Sequence, residues 1–190
     1  MSEIVRLRTV YEGYSKMMVA TVRTADGKEV EREIEDHGRA VGFLPYDASR
    51  RMATVVKLFR APVLHTGGGR ELLEAPAGMI DEGETPDVTA HREAGEEVGL
   101  KLGGLQYVAT VFPSPGVSSE MITLYLAPYA ERDRTGEGGG APGENEGIEV
   151  LELSLAELWT MLERNEIADM KTLTLLMALK LRRPDLFEPT

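Results

Sequence analysis

Residues 78–100 read G-M-I-D-E-G-E-T-P-D-V-T-A-H-R-E-A-G-E-E-V-G-L, and this stretch decides the fold. Its spacing predicts a loop running into a short helix. Thr85 stands where an N-cap is wanted, Pro86 suits the first helical position, and Asp87 complements the positive helix start. Gly99 suits the left-handed position that ends a helix. Ala90, Ala94 and Val98 fall four apart and give one small apolar face that can pack closely on a sheet. Glu93 and Glu97 share another face, Glu96 stands beside Glu97, and Glu84 lies in the loop before the helix. Arg92 is the cation of this acidic set. Like charges four apart cost a helix about 0.2–0.5 kcal/mol per pair. Gly95 costs roughly another 1 kcal/mol relative to Ala. This face is therefore not built for helix stability. Clustered hard carboxylate oxygens are what Mg²⁺ or Mn²⁺ prefers. A solvated acidic face is the competing reading of the charges alone.

Just before the helix, Glu71 to Gly78 (E-L-L-E-A-P-A-G) leads out of a Gly-rich loop at His65 to Arg70. Further upstream, Arg39 to Pro45 and Met52 to Arg60 read as two strands joined by a turn at Tyr46 to Arg51. The first forty residues also read as β-structure. Asp26-Gly27 marks a hairpin turn, and Glu29 to Glu35 alternates polar with apolar. Large apolar residues are few in this arm, so it is expected to pack on the rest of the chain or on a partner subunit.

Downstream, Leu105 to Pro113 and Met121 to Ala127 read as strands around Ser114-Pro115-Gly116, which is by itself an ordinary turn sequence. Glu131 to Glu149 is a low-complexity tract rich in Gly and Glu, followed by a strand at Ile148 to Leu153. Long structureless loops inside a domain are more often functional than not, but a solubilising acidic loop is the plain alternative. Ser154-Leu155-Ala156-Glu157 is a capping box that opens a helix with Leu155, Leu158, Trp159 and Leu162 on one face. A second amphipathic helix is expected from Thr172 to Leu181.

The chain of 190 residues is long enough for one domain with a real core, and it carries a net charge of −11. That balance argues against binding nucleic-acid backbones. It does not exclude a small phosphorylated substrate, because divalent metals can bridge two sets of negative charge. No apolar run approaches the length of a membrane span, and the N-terminus lacks a signal-peptide pattern. A soluble cytoplasmic protein is the expectation. With no cysteine, disulfides and thiolate chemistry are excluded.

Gly78, Glu84, Arg92, Glu93, Glu96, Glu97, Gly99 and Leu100 fit the pattern G-x5-E-x7-R-E-U-x-E-E-x-G-U, in which U is apolar. The chain thereby resembles the Nudix hydrolases, which cleave a nucleoside diphosphate linked to another moiety. The segment E-A-P-A-G-M-I-D-E-G-E, the Ser114-Pro115-Gly116 step with Glu120, and the tract from Gly138 onward resemble the nucleoside-diphosphate-sugar branch, with ADP-ribose and GDP-mannose types in close competition.

This resemblance implies an α/β fold, a Nudix α/β/α sandwich with a mixed sheet, plus an N-terminal antiparallel β arm. Residues 1–38 would be the arm, which dimerises in that branch, and residues 39–190 the hydrolase domain. Mg²⁺, with Mn²⁺ as the alternative, would be held by Glu93, Glu96, Glu97 and the Ala77 carbonyl. Arg92 would pair with Glu84 and orient the helix. Glu144 is the implied general base and Glu146 a further metal ligand. Arg60, Ser114, Gly116, Glu120 and Tyr14 are the implied substrate contacts. The expected partners are a nucleotide sugar and a second copy of the chain. The alternative is a non-catalytic nucleotide-sugar sensor or interaction module, although such domains usually lose box carboxylates and none is missing here.

Overall fold

The computed structural model describes residues 1–67, 71–140 and 147–188. The chain divides into two compact units, Met1–Ala40 with Thr110–Ile122, and Val41–Ala109 with Thr123–Thr190. In the first, β1 (Glu3–Glu12), β2 (Lys16–Arg23) and β3 (Glu29–Asp36) form an antiparallel three-stranded sheet. The Asp26-Gly27 turn joins β2 to β3, with Gly27 at φ 84° and Gly27 N–H donating to the Thr24 carbonyl. This positive φ is the reason for glycine there. Within the same unit the Glu35 N–H donates to Val117 and the Ser119 N–H to Glu35, at 2.8 and 2.9 Å.

The remaining strands are β4 (Arg39–Asp47), β5 (Met52–Leu58), β6 (Leu72–Glu74), β7 (Ala77–Met79), β8 (Gln106–Val111), β9 (Met121–Pro128) and β10 (Glu149–Ser154). They make one sheet in the order β10-β5-β4-β9-β8, with β6 on β5 and β7 on β4. The helices are α1 (Ala61–His65), α2 (Pro86–Val98), α3 (Leu155–Glu163) and α4 (Met170–Arg182). Ala90, Ala94 and Val98 of α2 pack against Val41, Phe43, Val56, Leu58, Tyr125 and Ala127. The alternate residues Leu44, Val55, Leu124 and Leu126 are buried too. Because side chains alternate along a strand, both faces of the sheet are covered. α3 meets β10, α4 meets β6, and Leu155, Leu158, Leu175, Leu176 and Leu179 are fully buried. The result is the expected α/β sandwich, with an antiparallel N-terminal sheet. Among the described residues no helix is long and apolar enough to cross a membrane.

Several local expectations are corrected. β5 stops at Leu58 rather than Arg60, because Ala61-Pro62 opens the short helix α1, and His65 ends that helix instead of starting a loop. Gly68, Gly69 and Arg70 of the expected loop lie outside the described residues. Thr85 occupies the N-cap of α2 with extended backbone, but its side chain makes no capping bond. Instead the Thr89 hydroxyl donates to Glu84 at 2.7 Å, tying the loop to the first turn. α4 begins at Met170, before the expected Thr172, because the Asp169 carboxylate caps it by accepting from the Thr172 N–H at 2.9 Å. The tract after Glu131 is not structureless throughout, since Glu131–Asp133 is a 3₁₀ turn.

A charged clamp fixes the β4–β5 hairpin against β10. Arg50 donates to Asp47 at 2.8 Å and to Glu152 at 2.7 Å, and Glu152 also meets Arg134 and the Tyr129 hydroxyl. Burial alone would raise the Asp47 carboxyl, but bonds from Arg50 and Ser49 hold it at about 2. The hydrogen bond from Arg50 is the main force that brings Glu152 to about 2, and burial with Glu152 beside it pushes Tyr129 up to about 12. Both carboxyls lie below their ordinary values of 3.8 and 4.5. The stability they contribute, roughly 2–3 kcal/mol each, is present above those values and lost as pH falls toward 2. Guanidinium denaturation is expected to show a steep loss of stability from pH 5 to pH 2.5. In Glu152→Gln that loss should be visibly shallower, and an equal slope would contradict the assignment.

Candidate active site

The acidic face of α2 is organised by Arg92. Its Nη1 donates to Glu93 at 2.8 Å and to Glu96 at 3.0 Å, while Nη2 donates to Glu84 and to the Met79 carbonyl, each at 3.2 Å. The helix spacing causes this convergence. Residues 92 and 96 are one turn apart on one face, and Glu84 is brought back by the loop that its bond from the Thr89 hydroxyl ties to the helix. The hydrogen bond to Glu84 is the largest contribution that raises the Arg92 pKa, and the bond from Arg92 correspondingly lowers Glu84.

Glu97, one turn after Glu93, also faces β7. It is buried, and its Oε2 accepts from the Ala77 N–H at 3.0 Å. The neighbouring Gly78 is pressed against Glu93, so that a Cβ there would overlap the carboxylate. Glycine at this position therefore makes room for an acidic group against the backbone. Glu97 is thus held on the Ala77 N–H and Glu93 lies against Gly78, while Glu96 is held by Arg92. Among the described residues no three His, Cys, Asp or Glu side chains close into a ready cation cage. The donor chemistry, all hard oxygen, and the Gly78 cradle nonetheless fit a small divalent cation.

Arg60 is gripped by a residue that the sequence reading missed. Glu74 is 2% exposed, and its two oxygens accept from Arg60 Nε at 2.9 Å and Nη2 at 3.0 Å. Lys171 of α4 donates to the same carboxylate at 2.9 Å and to Asp169 at 2.8 Å. Burial works against the Glu74 charge, but Arg60 and Lys171 outweigh it and lower the carboxyl. Burial likewise works against the Lys171 charge and is outweighed by Asp169 and Glu74. The Ala75 N–H donates to the Thr172 hydroxyl at 2.6 Å, so α4 anchors the backbone that enters the site.

In the N-terminal unit the exposed Tyr14 ring stacks on His37 with centroids 6.1 Å apart. His37 Nδ1 lies 2.6 Å from Glu35 and Nε2 lies 3.3 Å from Glu120. Burial would lower the His37 pKa, but the two carboxylates prevail and raise it. Ser114 accepts backbone bonds from Val117 and Ser118 in a turn, where Gly116 is exposed. Tyr14 and Glu120 are thus brought together through His37, whose position in a D-H-G step carries no spacing signal. Glu144 and Glu146 lie outside the described residues.

The NUDIX domain model matches residues 36–176. The GDP-mannose pyrophosphatase of Cronobacter sakazakii is 33% identical over 185 residues, 95% of each chain. That of Escherichia coli O157:H7 is 34% identical over 159 residues, 82% of each chain. A crystal structure of an ADP compounds hydrolase superposes with a TM-score of 0.76 at 19% identity, covering 97% of this chain and 95% of the other, which speaks to the fold.

Proposed function

The chain belongs to the NUDIX family and is a hydrolase, and from that premise we propose that it hydrolyses the pyrophosphate bond of a nucleoside diphosphate sugar, GDP-mannose first among them, to a nucleoside monophosphate and a sugar phosphate. The observation that carries the reading is the complete acidic helix face seated against β7, with Glu97 on the Ala77 backbone and Glu93 against Gly78. The relatives' names support the choice of GDP-mannose over ADP-ribose.

Glu93, Glu96, Glu97 and the Ala77 carbonyl are the groups that would hold Mg²⁺ or Mn²⁺. A divalent cation bound there supplies charge neutralisation for the diphosphate and a more acidic attacking water. The chain's own residues do the rest. Arg92 keeps Glu93 and Glu96 on one side of the helix by its bonds to both and to Glu84. Glu97 fixes the backbone that presents the Ala77 carbonyl. Arg60, oriented by Glu74, is assigned with Tyr14 to the substrate base. Glu144 keeps its assignment as the base that takes the proton of water, and Glu146 as an added ligand. Tyr14 and Glu120, linked by His37, are assigned to the nucleoside, and Ser114 and Gly116 to the same region of substrate.

The test is phosphate release in a coupled phosphatase assay on GDP-mannose, ADP-ribose and other nucleotide sugars, without metal and with Mg²⁺ or Mn²⁺. Selective turnover of GDP-mannose that needs the metal is the expected result. Metal-dependent turnover of ADP-ribose alone would move the substrate. No turnover with either metal would instead favour the nucleotide-sugar sensor.

We also assign a cytoplasmic homodimer. β1 is exposed along its whole length and carries Ile4, Leu7, Val10 and Tyr11, each at least half exposed. An apolar edge strand of this kind is a template for pairing. Light scattering at micromolar concentration should give twice the 20.9 kDa chain mass. A monomer there would refute the assignment.

A further inference from the structure

An α-helix leaves its last four carbonyls without partners inside the helix. At the C-terminal end of α2 these carbonyls are taken by one later segment, Arg134 to Gly140. The Glu96 carbonyl accepts from the Gly140 N–H at 3.1 Å and the Glu97 carbonyl from the Gly139 N–H at 2.8 Å. The Val98 carbonyl accepts from Arg134 Nη1 at 3.5 Å. The Gly99 carbonyl accepts from the Thr135 N–H at 2.7 Å, the Gly136 N–H at 3.2 Å and the Thr135 hydroxyl at 3.1 Å. The segment that reads in sequence as a low-complexity run is therefore a strap laid across the end of the helix that carries the box carboxylates.

Gly138 is what lets the strap close. Its φ is 76°, a region side chains avoid. A Cβ there would overlap the Glu97 carbonyl and stand 2.7 Å from Val98 Cα, which is backbone that cannot swing aside. Gly136, in the same strap, has no atom within 4 Å of an added Cβ and does not have a positive φ.

We propose that Gly138 is a positioning residue of the active site, holding the last turn of α2 so that Glu96 and Glu97 keep the placement metal binding needs. This rests on the assignment of those carboxylates as metal ligands. Its cause is mechanical. The strap bonds to the backbone of the very residues whose side chains are to bind, and Glu97 is the one that also holds Ala77.

The experiment compares Gly138→Ala with Gly136→Ala in the full chain. Mn²⁺ affinity is measured on the free protein by electron paramagnetic resonance, together with kcat, KM and the Mg²⁺ concentration for half-maximal turnover. In G138A, Mn²⁺ binding is expected to weaken about 10- to 100-fold, the scale seen when groups supporting metal ligands are lost. The Mg²⁺ requirement should rise in parallel, with much of kcat recovered at saturating metal. G136A should match wild type. A merely structural role would lower the active fraction without moving either metal constant. Wild-type Mn²⁺ affinity in folded G138A overturns the proposal. If G138A does not fold, Thr135→Val decides, since it deletes only the hydroxyl bond to Gly99. A loss of Mn²⁺ affinity of about 2- to 10-fold supports the strap, and no loss overturns it. Absence of Mn²⁺ binding in wild type would instead sink the metal assignment, and the inference with it.

Discussion

Glu97→Gln is expected to lower Mg²⁺-dependent turnover by more than about 100-fold, beyond the loss caused by disturbing a group that merely supports a metal ligand, while the protein stays folded. The two halves of this expectation come from different atoms of one side chain. Glu97 is buried and accepts the Ala77 N–H at 3.0 Å, a bond that a glutamine carbonyl oxygen can still accept. Shape and backbone are therefore kept. What is lost is the negative charge, and a divalent cation in an oxygen site depends on charge. Glu97→Ala is the useful contrast. It leaves the Ala77 N–H without its acceptor and costs about 1–3 kcal/mol besides the activity. Turnover of E97Q at the wild-type rate with saturating Mg²⁺ would remove Glu97 from the ligand set.

Glu74→Ala is expected to destabilise the protein by about 3–5 kcal/mol, because it breaks a buried ion pair and leaves the partner charge behind. For a chain of this size the thermal midpoint should then fall by about 6–20 °C. The cluster contains two carboxylates, Glu74 and Asp169, and two cations, Arg60 and Lys171. Arg60 is partly exposed and can turn to water. Lys171 has only 15% of its side chain exposed and cannot, so it bears most of the penalty. Pairing E74A with Lys171→Met should therefore restore part of the loss. Calorimetry on the two variants checks this, and an unchanged midpoint in E74A would show that the cluster contributes nothing.

Some of this was legible in the chain and some was not, for physical reasons. The α2 carboxylates were legible because helical spacing fixes which side chains share a face, and Gly99 because glycine is the residue best suited to a left-handed helix end, which it adopts at φ 62°. Glu74 was not, since a glutamate in E-L-L-E looks like any strand-end polar residue until Lys171 arrives from α4. His37 was missed for the same reason. Its partners Glu35 and Glu120 meet only after folding. The strap misled in the opposite direction. Its glycines signal flexibility in sequence, whereas Gly138 is present because the α2 backbone leaves no room for a side chain. Thr85 shows that a residue can hold the cap position while the capping bond goes elsewhere, here from Thr89 to Glu84.

The most direct test of the central claim is to identify the products by ³¹P NMR after incubating the protein with GDP-mannose and Mg²⁺. Cleavage of the pyrophosphate bond predicts GMP and mannose 1-phosphate in equal amounts, and none without metal. Formation of GDP and free mannose would show that the sugar–phosphate linkage, not the pyrophosphate bond, is cleaved and would contradict the account.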